Sequence, residues 1–351
     1  RPRGCAPPER AARRALRTRD VMGGSGLVVL TSFQWFYNAT WGETLKWCRG
    51  SASNANATAE WCITEQAAFE RQLELTDVLR RNVECPAVDE VHVLVGETAP
   101  VLEYLRHTTW FAANSHRVVL VRSGRPSFAD YIRHLAGPLL GRRVVITNQD
   151  VWLMPGSQFG GWEWLAKQGE LPLTGTMYAL SRHHVPADYV VTPHANALSG
   201  FSRDYSRAAG RRSLHHLHNA SRPNRMCVMD FDGFRSTCTP GNPGHAFDAY
   251  VLSLRSPMAN DSIAVFDFPQ NAWGGEAFFV FLLHHLAGVR LAGNPCLSLR
   301  VVHTHCRMPT VYSFKREAPR HVSGDDRSMQ QSRAVMSRMA SGLRALAGAG
   351  A

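Results

Sequence analysis

Between residues 26 and 150 the chain alternates short apolar runs with stretches of helical periodicity, and that alternation limits the folds open to it. The runs are GLVVLTSFQWF (26 to 36), VDEVHVLVG (88 to 96), HRVVLVRSG (116 to 124) and RRVVITNQD (142 to 150). Each reads as a strand. A helix lies between the first two, with Phe69, Leu73, Thr76, Leu79 and Val83 on one stripe at helical spacing. Between the third and fourth, Ser127 and Asp130 form a Ser-x-x-Asp capping box. The helix it opens carries Phe128, Tyr131, Ile132, Leu135 and Leu139 on one side, and Gly141 is its expected end. Strands alternating with helices over about 125 residues predict an α/β fold, a doubly wound and mostly parallel sheet in a single large domain.

The second half is less periodic. GTMYALSR (175 to 182) reads as a strand or strand pair, FDAYVLSL (247 to 254) as a strand, and DFPQNAWGGEAFFVFLLHHLAG (267 to 288) as a loop entering an apolar helix that Gly288 stops. Two short strands are expected around Asn294-Pro295 in VRLAGNPCLSLRVVHTH (289 to 305). The organisation expected is therefore a Pro/Arg-rich tail or stem over 1 to 24 and a first half over 25 to 152. A second half follows over 153 to 315, with an insertion near 193 to 245, and then a C-terminal surface segment over 316 to 351.

Net charge is +11, which raises nucleic acid as a partner. The arginines are scattered outside the N-terminal cluster, only Lys46, Lys167 and Lys315 are lysines, and no zinc-finger, RRM or KH pattern is present. Nucleic acid is therefore not expected, and a basic surface suits an anionic nucleotide or an acidic glycan as well. No apolar run approaches the roughly 20 residues that cross a bilayer. An upstream signal or membrane anchor ahead of Arg1 remains compatible with the chain. Eight cysteines occur without a Cys-x-x-Cys pair, and the close spacings 48/62, 227/238 and 296/306 suit loop-closing disulfides. Of these, Cys296–Cys306 is the pairing expected most directly. Sequons at Asn38, Asn56, Asn219 and Asn260 favour the secretory lumen in the same way.

The chemistry concentrates in ITNQDVWL (146 to 153), where an apolar run ends in Asn148, Gln149 and Asp150. A carboxylate at the C-terminal end of a strand stands where open α/β sheets bind nucleotides, and it can hold a divalent ion that also touches phosphate. An Asp there can instead cap the following turn. Asp230-Phe231-Asp232 is a rival acidic pair, although Asp-Gly after it is a turn signal. His303 and His305 stand two apart, so a strand would turn both imidazoles to one face, ready for a metal or for a backbone carbonyl. Asp248 lies in an apolar run and needs a partner, which Arg182, a cation or a sugar hydroxyl would supply. Arg182 can hold a diphosphate bidentately, and Trp273 can stack on a sugar or pack in the core. Glu276, after Gly274-Gly275, either stabilises the start of its helix or takes a proton from a substrate.

Taken in order, ITNQDVWL, YALSR, FDAYVLSL, DFP…WGGEAFF and AGVRLAGNPCLSLRVVHTH resemble one family of glycosyltransferases with the nucleotide-sugar-binding α/β fold, GT-A. That family follows an Asn-x-Asp strand with Ala-Leu-Ser-Arg, then an Asp-Ala strand. A Gly-Gly-acid helix start and an Asn-Pro pair closing on His-x-His come next. The correspondence runs in block order over roughly residues 26 to 312, and only the 193 to 245 segment lacks a counterpart. The commoner metal motif is Asp-x-Asp, and here Asn148 takes its first place.

The resemblance implies transfer of a sugar from a nucleotide-sugar donor to a glycan or glycoprotein acceptor in the secretory lumen, most naturally the Golgi. It implies Mn²⁺ or Mg²⁺ held by Asp150, His305 and His303, and a donor held by Thr31, Ser32, Asn148 and Arg182. Glu276 and Asp248 would stand at the transfer itself, Glu276 as the base. The rival from another class is a secreted carbohydrate-binding protein that keeps the fold without catalysis. A basic RNA-binding protein is a third reading, with the steep salt dependence that entails.

Overall fold

The structure, a computed structural model, describes residues 26–33, 65–124, 126–156, 161–167, 175–183, 190–191, 225–226, 238–240, 247–268 and 275–304. Its strands are β1 (Leu27–Ser32), β2 (Val88–Val95), β3 (Val118–Arg122), β4 (Val144–Thr147), β5 (Val151–Leu153), β6 (Thr176–Ser181), β7 (Val190–Val191), β8 (Arg225–Met226), β9 (Phe247–Leu252), β10 (Arg290–Gly293) and β11 (Val301–His303). Its α-helices are α1 (Glu65–Glu84), α2 (Thr98–Arg106), α3 (Thr109–Asn114), α4 (Phe128–Leu135), α5 (Gly161–Lys167), α6 (Asn260–Ala264) and α7 (Gly275–Ala287).

Seven strands form one sheet in the order β10-β6-β9-β4-β1-β2-β3. All neighbours are parallel except those of β9, which runs antiparallel to both β4 and β6. The sheet is thus mostly parallel, as expected, with one reversed strand. Every residue of β1 is buried, because helices cover both faces of the sheet. On one face Leu75, Leu79 and Val83 of α1 pack on Val29, Val91 and Val145. On the other, Phe128, Ile132 and Leu135 of α4 meet Phe279 and Leu282 of α7 above Val28, Leu30 and Ile146. The Phe128 and Phe279 rings stack with centroids 4.5 Å apart, so the two helices share one aromatic seam.

Local signals act where expected at most ends. The Ser127 N–H donates to Asp130 Oδ2 at 3.0 Å, which completes the capping box of α4. Gly288 takes a φ of +65° after α7, and the Val289 N–H reaches back to the Leu283 carbonyl at 3.1 Å, closing that helix as anticipated. Two boundaries differ. Helix α4 ends at Leu135 and turns fill the way to Gly141, because Gly137 interrupts the helix before the apolar stripe runs out. Strand β4 ends at Thr147, so Asp150 stands in the turn that follows and not on the strand. Helices α2 and α3, between β2 and β3, have no counterpart in the sequence reading. The tail over 1 to 24, most of the insertion near 193 to 245 and the segment over 316 to 351 lie outside the described residues.

Under α4, His92 Nδ1 and His134 Nε2 share a hydrogen bond of 2.7 Å, and His92 Nε2 meets Glu90 Oε2 at 3.1 Å. Burial holds both imidazoles below their ordinary range, with the Arg142 charge adding to the effect on His92. The His134 value is pushed down to about 4, with His92 as the second cause. In the unfolded chain an imidazole binds its proton below about pH 6.5. Between the two values the unfolded state therefore binds more protons, and stability falls as pH drops from about 6.5 towards 4. Replacing His134 by Gln should shrink the loss of melting temperature between pH 7 and pH 5; an unchanged loss would show that other groups set it.

Candidate functional site

Strand β1 has β2 on one side and β4 on the other, while the chain runs β1, β2, β3 before crossing back to β4. That reversal opens a crevice at the C-terminal ends of β1 and β4, the place where open α/β sheets take ligands. Thr31 and Ser32 end β1 there, both largely buried, and the Thr31 hydroxyl donates to the Asn148 carbonyl at 3.4 Å. Across the crevice the chain leaves β4 in a tight turn, closed by the Val151 N–H on the Asn148 carbonyl at 3.2 Å. Strand β5 then departs from the main sheet and pairs antiparallel with β11.

The Asp150 and His303 side chains meet at this point. Residue 151 is opposite His303 in the ladder, so Asp150 arrives beside the imidazole, with Oδ2 3.2 Å from Nε2. The backbone reinforces the placement, since the Thr304 N–H donates to the Asp150 carbonyl at 2.7 Å. Asp150 is 8% exposed and His303 7%, so this polar pair sits in a region of weak solvent screening. Two ligands at right angles on one six-coordinate ion, each about 2.1 Å from it, stand about 3.0 Å apart. A carboxylate and an imidazole at 3.2 Å therefore fit one shared cation of the Mg²⁺ or Mn²⁺ kind. Among the described residues no group of three or more His, Cys, Asp and Glu comes together around a metal. His305, the other expected ligand, lies outside the described residues, as do Asp230, Asp232 and Trp273.

A second polar cluster adjoins the first through Asn148. Asp248, only 2% exposed, takes both its oxygens to Arg182 Nη1, at 3.3 and 3.2 Å. Asn148 Nδ2 donates to Asp248 Oδ1 at 3.3 Å, and the Asn148 N–H to the Asp248 carbonyl at the same distance. The partner that a carboxylate in an apolar strand required is thus Arg182, from the end of the neighbouring strand β6. Next to it, Asn294 holds Ser181 by two bonds: the Ser181 N–H donates to its Oδ1, and its Nδ2 donates to the hydroxyl. Glu276 stands half-buried in the first turn of α7. Burial first, then the Glu276 and Asp248 charges, drive the Tyr250 phenol well above its ordinary range. Both carboxylates therefore act on the same buried tyrosine.

Cysteine pairing departs from the expectation. Cys296 bonds to Cys238, 58 residues away with 6.1 Å between Cα atoms, in place of Cys306. Nor does Cys238 pair with Cys227. Spacing along the chain failed as a guide because β6 and β11 bring distant segments together. The Cys238 N–H donates to the Arg182 carbonyl at 2.9 Å, and His183 Nε2 bonds the Cys296 carbonyl at 2.7 Å. The disulfide thus brackets the exit of β6, beside the Arg182–Asp248 pair. Cys85 is a free, buried thiol, pushed up to about 11 mainly by desolvation. Cys5, Cys48, Cys62, Cys227 and Cys306 lie outside the described residues.

Several residues of this region carry no motif. Thr304, Asn294 and His183 are recognisable only through their partners, and Asn82 of α1 reaches the site from some 70 residues upstream. The Asn-Pro and His-x-His blocks marked the segment for Asn294 and Thr304, while nothing in the chain marked Asn82. Compared with known proteins, the chain matches no family model and no curated protein.

In the chain-entropy model a disulfide closing a loop of 58 residues stabilises by about 4 kcal/mol. Replacing Cys238 and Cys296 together by serine should lower the urea midpoint accordingly. Mass mapping without reductant should recover the 238–296 linkage, and a Cys296–Cys306 peptide would contradict this pairing.

Proposed function

We propose that this chain is a GT-A-type glycosyltransferase that moves a sugar from a nucleotide-sugar donor to an acceptor hydroxyl with a divalent cation. The observation that carries the reading is the Asp150–His303 pair, 3.2 Å apart at the mouth of the β1/β4 crevice. Its support is the mostly parallel sheet, with a carboxylate in the turn after β4 and an imidazole on β11 beside the crevice where open α/β sheets take ligands. Asp150 and His303 would hold Mn²⁺ or Mg²⁺, with donor phosphate oxygens, water or His305 completing the shell. A divalent ion there neutralises the charge that develops on the departing nucleoside diphosphate.

The residues around the pair have separable roles in this reading. Thr31, Ser32 and Asn148 would line the crevice against the nucleoside. Arg182 would set Asp248 towards a sugar hydroxyl, or present a second nitrogen to phosphate. Glu276 would accept the proton of the acceptor hydroxyl as its oxygen bonds to the anomeric carbon and the bond to phosphate breaks. The Cys238–Cys296 disulfide and the exposed sequon at Asn260 suit a secreted or luminal protein, and among the described residues no helix is long and apolar enough to cross a membrane. We assign it to the Golgi lumen, with a glycan or glycoprotein as acceptor.

A panel of nucleotide sugars with Mn²⁺, read as nucleoside diphosphate release, tests the reading. Asp150→Ala should abolish metal-dependent release while circular dichroism stays native; full activity in that variant would remove Asp150 from the metal. A protein that binds glycans yet releases nothing from any donor is the non-catalytic alternative.

Glu276→Gln separates base from helix cap, because the amide keeps the size and the hydrogen bonding. As a base, Glu276 should cost about 10²–10⁴ in kcat when replaced. Near-normal kcat with a slightly lower melting temperature would leave it a role at the helix dipole only.

A further inference from the structure

Strand β5 has two edges, and β11 occupies one of them. The Thr304 N–H to the Asp150 carbonyl, at 2.7 Å, and the Met154 N–H to the Arg300 carbonyl, at 3.0 Å, bound that ladder. The carbonyl of Val151 and the N–H of Leu153 point the other way, where among the described residues no strand pairs with β5. One side chain takes both: Asn82 Nδ2 donates to the Val151 carbonyl at 3.0 Å, and Asn82 Oδ1 accepts from the Leu153 N–H at 3.0 Å.

A primary amide carries a donor and an acceptor side by side, so it can stand in for the backbone of a missing strand. Asn82 has no solvent exposure, and losing it would strand two buried backbone groups. It belongs to the last turn of α1, which Leu79 and Val83 anchor in the core. The residue beside it extends the contact. Arg81, bonded to Asp77 at 2.9 Å, lies 4.7 Å over the Trp152 ring, and Trp152 Nε1 donates to the Thr304 hydroxyl at 3.1 Å. Helix α1 therefore holds residues 151, 152 and 153 in succession, directly after Asp150. A two-stranded ribbon of three residues per strand has little stability of its own.

We infer that Asn82 is a positioning residue for the Asp150–His303 pair, fixing β5 so that the carboxylate and the imidazole converge on one divalent cation. The inference rests on the metal reading above. Ligand distances in such sites are held to within about 0.2 Å, a tolerance that a loose β5 would exceed. Thr76, on the same helix, offers a control, because its hydroxyl bonds the Tyr104 hydroxyl at 2.7 Å and the Gln72 carbonyl at 2.6 Å, and among the described residues it makes no hydrogen bond to β5.

Mn²⁺ binding to the whole chain, measured by electron paramagnetic resonance without any sugar donor, tests this. Asn82→Asp keeps the size but sets a second acceptor against the Val151 carbonyl, and Asn82→Ala removes both bonds. Wild type should bind Mn²⁺, Asp150→Ala should not, and both Asn82 variants should bind about 10-fold more weakly or worse. Thr76→Val, at a comparable loss of melting temperature, should bind as wild type does. Wild-type affinity in folded Asn82 variants overturns the positioning role and leaves the metal site standing. A wild-type chain that binds no Mn²⁺ overturns the metal reading, and this inference with it. Should neither Asn82 variant fold, wild type decides: Mn²⁺ should slow hydrogen exchange at the Leu153 amide, and an unchanged rate overturns the inference.

Discussion

A strand with both faces buried must be roofed on both sides, and β1 imposes that requirement on its surroundings. Leu27 to Ser32 have no solvent-facing row, so α1 covers one face of the sheet while α4 and α7 cover the other. Burying a Val or Leu side chain contributes about 1.5–3 kcal/mol, and the two cores repeat that gain along four neighbouring strands. The polar ends of β1 and β4 escape the rule because the strands stop there. With β2 on one side and β4 on the other, the sheet cannot close over the gap between their C-terminal ends. The crevice is a consequence of strand order.

The same edge collects charge. Asp150, Asp248 and Glu276 come from a turn, an antiparallel strand and a helix start. Three carboxylates near one edge would repel one another if none were matched. Asp248 is matched by Arg182 within the protein, and Asp150 faces the His303 imidazole at 3.2 Å. The first pair is a closed ion pair and fixes geometry. The second has the donor types of a cation site. That difference makes Asp150, and not Asp248, the residue on which the functional reading turns.

Support for this edge comes from far along the chain. Strand β5 leaves the main sheet and is kept in register by β11, by the Asn82 amide and by the ring of Trp152. The Cys238–Cys296 bond closes the opposite flank, beside Arg182 and His183. The Cys238 N–H donates to the Arg182 carbonyl and the His303 N–H to the His183 carbonyl, so these two residues join the polar clusters where the sheet meets the β5–β11 ribbon.

Periodicity by itself determined the mostly parallel α/β sheet, because an all-buried strand and an amphipathic helix each leave a pattern that needs no partner to be read. The capping box at Ser127 and the stop at Gly288 were legible for the same reason, being contained within a few residues. Apolar context marked Asp248 as needing a partner, and of the sugar hydroxyl, cation or Arg182 open to it, Arg182 is the one the fold brings within 3.2 Å. Tertiary structure alone decided that Asp150 stands in a turn facing His303, that Cys296 takes Cys238, and that Asn82 completes the edge of β5. Each of these depends on two segments meeting through the sheet, and strand order, which sets such meetings, leaves no trace in local spacing.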